Sequence, residues 1–101
     1  MMETKNGREL LSMKNYYSTV NDIVCTFSNI EEEHGFDEIT IRFERQNETG
    51  FDFAEGKLPE NVFYKCFGFS EDELMKLEKY MKNNSALIWK IAQEEGGKTV
   101  A

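Results

Sequence analysis

One histidine, one proline and two cysteines in 101 residues leave little material for metal or disulfide chemistry. Cys25 and Cys66 stand 41 positions apart without a Cys-x-x-Cys motif, a count and spacing that fit neither a zinc site nor a thioredoxin-like site. There is no apolar run near 18 residues, so no membrane-spanning segment is expected. The start, Met1 to Gly7, has no apolar stretch to serve as a signal peptide, so the expected location is cytoplasmic. In that reducing compartment both cysteines are expected as buried thiols. Neither Gly-x-Gly-x-x-Gly nor Gly-x-x-x-x-Gly-Lys-Ser/Thr occurs, so no cofactor is expected. No stretch carries a basic excess, which disfavours nucleic-acid partners and anionic membrane surfaces.

What is present is acid and aromatic. The net charge of −7 comes entirely from residues 31–60, where ten acids face Arg42, Arg45 and Lys57, while both flanks balance. Eight Phe, four Tyr and one Trp, in a chain that is 40% apolar, exclude disorder and predict one globular domain over residues 1–101, with ends fraying at about 1–7 and 97–101.

Val20, Ile23, Val24, Phe27 and Ile30 recur at spacings of three and four, which predicts a helix from about Asn15 to His34, closed by Gly35. Leu10, Met13 and Tyr17 extend the same stripe upstream. The period then changes to two: Ile39, Ile41 and Phe43, then Phe51 and Phe53, predict a hairpin with a loop over residues 46–50. Gly56 and Pro59 signal a second turn, and Asn61 to Phe69 is rich enough in β-formers to predict a third strand, with a helix as the alternative. Ser70-Glu71-Asp72-Glu73 is a capping box with Phe69 and Leu74 as its hydrophobic staple. Leu74, Leu77 and Met81 mark the buried face of the helix it opens. Asn83-Asn84-Ser85 predicts a break, with a last helix over residues 85–95; the alternative is one unbroken helix with Ile88 and Ile91 on the same face. The expected fold is α+β: a small antiparallel sheet of two to three strands packed against about three helices, in the order α-β-β-(β)-α-α.

Candidate sites are few. His34 beside Glu31, Glu32 and Glu33 offers a metal or acid–base cluster, but one imidazole in a last helical turn is accounted for by the helix dipole. On a common helix Cys25 and His34 lie about 13 Å apart, too far for a nucleophile–base pair. No catalytic, metal or cofactor-binding residue is assigned. Glu31, Glu32, Glu33, Asp37 and Glu38 are instead the expected partner-binding acidic surface.

Gly56-Lys57-Leu58-Pro59, the capped helix, and the closing Asn84-x-x-x-Ile88-Trp89-x-Ile91-Ala92 segment together resemble the C-terminal half of small uncharacterised domains encoded by anaerobic gram-positive bacteria, some near mobile elements. Such domains carry His residues on the strand where this chain has Ile39-Thr40-Ile41-Arg42, so the resemblance implies a bacterial cytosolic protein and transfers no functional residue. The functional expectation is a non-enzymatic protein-interaction module binding another protein or itself, because Tyr16, Tyr17, Phe36, Tyr64 and Trp89 are too many aromatics for a small core to bury. Two alternatives stand beside it: an acidic decoy of nucleic acid that occupies a basic groove, and a small-ligand binder or enzyme with an unrecognised pocket.

Overall fold

β-Branched and aromatic side chains dominate from Tyr16 to Phe27, and in the computed structural model, which describes residues 15–95, that stretch is extended. The expected helix over Asn15–His34 is overturned. Its place is taken by β1 (Asn15–Val20), β2 (Ile23–Phe27) and β3 (Glu31–Glu33). The helical spacing has a simple origin: Val20 and Ile23 are cross-strand partners on either side of the two-residue turn Asn21-Asp22, both at positive φ (54° and 66°). Val24 and Phe27 then point to opposite faces of β2, so the apparent stripe mixes two surfaces. Leu10, Met13 and the ends expected to fray lie outside the described residues.

β4 (Phe36–Asn47), β5 (Gly50–Leu58) and β6 (Val62–Phe67) follow, then a helix, α1 (Glu71–Glu95). All pairings are antiparallel, in the order β1-β2-β4-β5-β6, with β3 also on β4. β2 and β3 lie end to end along one edge of β4, partnered by residues 41–44 and 36–38 respectively. Ser28 makes the join. It is buried, its N–H donates to the Thr40 carbonyl (2.9 Å), and its Oγ accepts the Thr40 N–H (2.9 Å) while donating to the Asn29 carbonyl (2.8 Å). The hydroxyl thus stands in for a backbone carbonyl where the ladder is interrupted.

Among the described residues there are six strands and one helix, so the domain is mostly β, not a two- to three-stranded sheet against three helices. What survives is a helix packed on one face of an antiparallel sheet. The β4–β5 turn is Glu48-Thr49, shorter than the expected loop of 46–50, and Asn47 Oδ1 stabilises it by accepting the Thr49 N–H (2.8 Å). Gly56 to Leu58 belong to β5, and the third strand is confirmed as β6.

The covered face buries Cys25, Phe27, Ile39, Ile41, Phe43, Ala54 and Leu58 against Leu77, Met81, Ile88 and Ala92 of α1. The helix does not break at Asn83-Asn84-Ser85. Asn84 Nδ2 donates to the Tyr80 carbonyl (2.7 Å) and its Oδ1 accepts the Tyr17 hydroxyl (2.6 Å), while Ser85 Oγ donates to the Lys82 carbonyl (3.2 Å). Polar side chains that usually compete with a helical backbone here bond along it and across to β1.

The helix start matches the sequence reading. Ser70 Oγ accepts the Glu73 N–H (3.1 Å) and Glu73 Oε1 accepts the Ser70 N–H (2.8 Å). Ser70→Ala removes one of these bonds and is expected to cost about 1 kcal/mol, read as a lower denaturation midpoint; an unchanged midpoint would contradict the cap's role.

Candidate functional site

The five acidic residues singled out in the sequence come together, on a ribbon and not a helix. Glu31 faces Glu38 and Glu32 faces Asp37 across the β3–β4 pair, and His34-Gly35 forms its turn (φ 53° and 84°). β5 reaches only as far as Ile39 of β4, so the ribbon of residues 31–38 extends past the five-stranded sheet. Like charges directly opposite one another destabilise a strand pair. Glu38 is relieved by Lys57 Nζ at 3.2 Å, which also raises the lysine's pKa; Glu31, Glu32, Glu33 and Asp37 are exposed and make no ion pair with a described residue. Phe36 ends the ribbon with 72% of its surface in solvent.

The sheet face that α1 leaves uncovered is a second surface. Arg42 lies across its centre, donating to Glu44 (2.6 Å) and Glu55 (3.0 Å), with its guanidinium 4.6 Å above the Phe53 ring. Phe53 stacks on its cross-strand partner Phe67 (centroids 6.4 Å apart). Around them Phe51, Val62, Tyr64 and Phe67 are each more than half exposed. Of the five aromatics expected to resist burial, Tyr16, Phe36 and Tyr64 are exposed, whereas Tyr17 and Trp89 pack on the core.

A third cluster escaped the sequence reading. Arg45 Nε and Nη2 donate to Oδ2 of its cross-strand partner Asp52 (3.0 and 2.8 Å), and Nη1 donates to Glu73 Oε2 (2.8 Å). The guanidinium sits 4.6 Å over the Phe69 ring, and Asn47 Nδ2 donates to the other Asp52 oxygen (2.6 Å). Gly68 is required beside it: φ is +92°, and a Cβ there would collide with the Asp52 carboxylate. The available signal was opposite charges equidistant from a turn. Arg45 and Asp52 face each other only if the turn is Glu48-Thr49; a loop over 46–50 would pair Arg45 with Phe51 instead.

Between the first half of α1 and the β1–β2 hairpin lies a groove of about 270 Å³, with Ile23, Cys25, Phe43 and Leu77 as its apolar walls. Cys25 is buried there, and burial pushes its thiol up to about 12. Cys66 is free as well but exposed on β6, contrary to the expectation that both thiols are buried. His34, at the tip of the ribbon, is remote from Cys25 in the middle of the sheet. No group of three or more His, Cys, Asp or Glu among the described residues is arranged to hold a metal, and no described helix is long and apolar enough to cross a membrane.

Two measurements follow from this geometry. In native protein at neutral pH a thiol reagent is expected to modify Cys66 quickly and Cys25 only on unfolding, since the protonated, buried thiol is a poor nucleophile; mass spectrometry showing equal rates would refute the placement of Cys25. Arg45 first, and the Ser70 N–H second, hold the Glu73 carboxyl at about 2, well below its ordinary 4.5. A depressed carboxyl stabilises the fold fully above its unfolded value and loses that contribution as pH falls toward 2. The melting temperature of the wild type should therefore drop more steeply between pH 4.5 and 2 than that of Glu73→Gln; parallel curves would show that the carboxylate is not coupled to folding.

No protein-family model matches this chain, and neither a curated protein nor a solved structure does.

Proposed function

We propose that this chain is a non-enzymatic protein-interaction module that presents the β3–β4 ribbon to a partner with a basic surface. The observation that carries this reading is the ribbon's own charge arrangement: acid is paired against acid at Glu31–Glu38 and Glu32–Asp37, with Lys57 the one base in compensation among the described residues. Isolated, that arrangement costs stability; lysine or arginine side chains of a partner relieve it. Phe36 at the end of the ribbon adds an apolar contact of the kind that gives such an interface more than charge. A basic groove that otherwise holds nucleic acid is one partner of this chemistry.

A second reading draws on the uncovered sheet face. β6 is an edge strand with five of its six residues exposed, Tyr64 and Phe67 among them, and Phe53 of β5 stacks on Phe67, which suits self-association along that edge. The bulge between Glu55 and Gly56 and the charge of Lys65 blunt the edge, so we rank this second.

The test compares two triple variants of equal charge change. Glu31→Gln, Glu32→Gln and Asp37→Asn neutralise the ribbon; Glu48→Gln, Glu60→Gln and Glu94→Gln neutralise acids elsewhere. Basic partners captured by the wild type are expected to be lost by the ribbon variant and kept by the other. Capture should also weaken as salt rises above physiological strength, where charges are screened beyond about 8 Å. The ribbon variant should melt no lower than the wild type, because repulsion has been removed. Equal, salt-insensitive recovery by all three proteins would overturn the proposal. Concentration-dependent dimerisation abolished by Phe67→Ser would favour the β6 reading.

A further inference from the structure

The groove beside Cys25 has a structural cause that makes it more than a surface irregularity. α1 is tied to the sheet at two places. At its start Arg45 bridges Asp52 and Glu73, which draws the first turn toward β4 and β5. Two turns on, Tyr80 and Ser18 share a hydroxyl hydrogen bond (2.7 Å), and Asn84 takes the Tyr17 hydroxyl. Between these ties the helix passes over the turn end of the β1–β2 hairpin without filling the space beneath it. The side chains there are small: Ser18 and Cys25 stand where larger residues would close the gap.

The walls and the mouth differ in chemistry. Ile23, Cys25, Phe43 and Leu77 make the interior apolar, and the space amounts to about 270 Å³. That is close to the lower end of ligand pockets and suits a single ring with a short tail. At the mouth, Arg45 is committed to Asp52 and Glu73, so it has little left to offer a ligand. Lys76 also lines the groove and makes no ion pair with a described residue. The hydroxyls of Ser18 and Tyr80 satisfy each other at the far side and retain acceptor and donor capacity. An apolar interior beside an ammonium that pairs with no described residue, with the Glu73 carboxylate of the same lining already held by Arg45, is complementary to a small amphipathic anion.

We propose that the groove between α1 and the β1–β2 hairpin binds a small aromatic or branched-chain monocarboxylate, its apolar body against Ile23, Phe43 and Leu77 and its carboxylate at Lys76. The site is independent of the acidic ribbon, so failure of either proposal leaves the other standing. Ile23 and Leu77 are the residues whose environment the ligand changes, and Ile39 and Ile88 serve as core positions outside the groove lining.

The probe is 3-phenylpropionate, titrated into the full isotope-labelled chain and followed by methyl NMR, with neutral 3-phenylpropanol as the control. The expected result is a saturable shift of the Ile23 and Leu77 methyls with little change at Ile39 and Ile88, and tighter binding of the acid than of the alcohol. Lys76→Gln, at an exposed helical position, should leave the melting temperature unchanged and weaken the acid by about three- to five-fold, to the level of the alcohol, as befits one exposed ion pair. Ser18→Leu, which fills the groove, should abolish both titrations; if it fails to fold, the Lys76→Gln comparison decides alone. Absence of a saturable shift, shifts spread evenly over the sheet, or equal affinity of acid and alcohol for the wild type would overturn the proposal.

Discussion

Arg45 occupies the place where sheet and helix meet, and its guanidinium serves both. Asp52 is a buried carboxylate, and a buried charge persists only when paired and hydrogen-bonded. Arg45 and Asn47 together satisfy it. The same guanidinium takes Glu73, whose other hydrogen bonds close the helix cap, so a single carboxylate links the first turn of α1 to β4. Phe69 under the guanidinium and Gly68 against Asp52 set the path by which the chain leaves β6 for the helix. Register is part of this arrangement. A slip of one residue between β4 and β5 would turn Arg45 to the uncovered face and leave Asp52 alone in the interior.

The acids of residues 31–60 divide into two populations once the sheet is assembled. Glu38, Glu44, Asp52 and Glu55 each meet Lys57, Arg42 or Arg45 across or along the strands. These are structural charges, and they use all three bases of that stretch. The residual negative charge is displaced to the ribbon and the turns, where no described base pairs with it. Ten acids in thirty residues thus resolve into four that are paired with the bases of that stretch and six that stand on the ribbon and in the turns.

Much of the chain from Ile39 onward was legible in advance. The alternation at Ile39, Ile41 and Phe43, the β-rich run before Phe67, and the reciprocal Ser70–Glu73 cap are local signals, and local physics decides them. Residues 15–34 misled for an equally physical reason. Two-residue turns place hydrophobic partners three apart, which mimics helical spacing, and Asn21-Asp22 is as good a turn as it is a polar interruption of a helix. Asn84 and Ser85 read as breakers because their partners, Tyr17 and the preceding helical carbonyls, are known only when the helix is seen. Of the candidate sites, the acidic cluster was visible as charge but not as a cross-strand pairing. The Arg45 cluster depended on a turn length, and the groove on where two distant ties hold the helix; neither is a property of any short segment.

Ser28 carries a consequence for how the molecule comes apart. Its hydroxyl receives the Thr40 amide where the β2–β4 ladder gives way to the β3–β4 ladder. Opening of the ribbon from its tip therefore meets, at Ser28, a side-chain bond anchored in the core and not the next rung of a continuous ladder. Amides of residues 31–38 are expected to exchange as a unit of low local stability, because residues 31–37 are all exposed. Those of β2 and the central part of β4 stay protected with the sheet. Opening of the ribbon is therefore expected to be confined to its eight residues, with the core left folded.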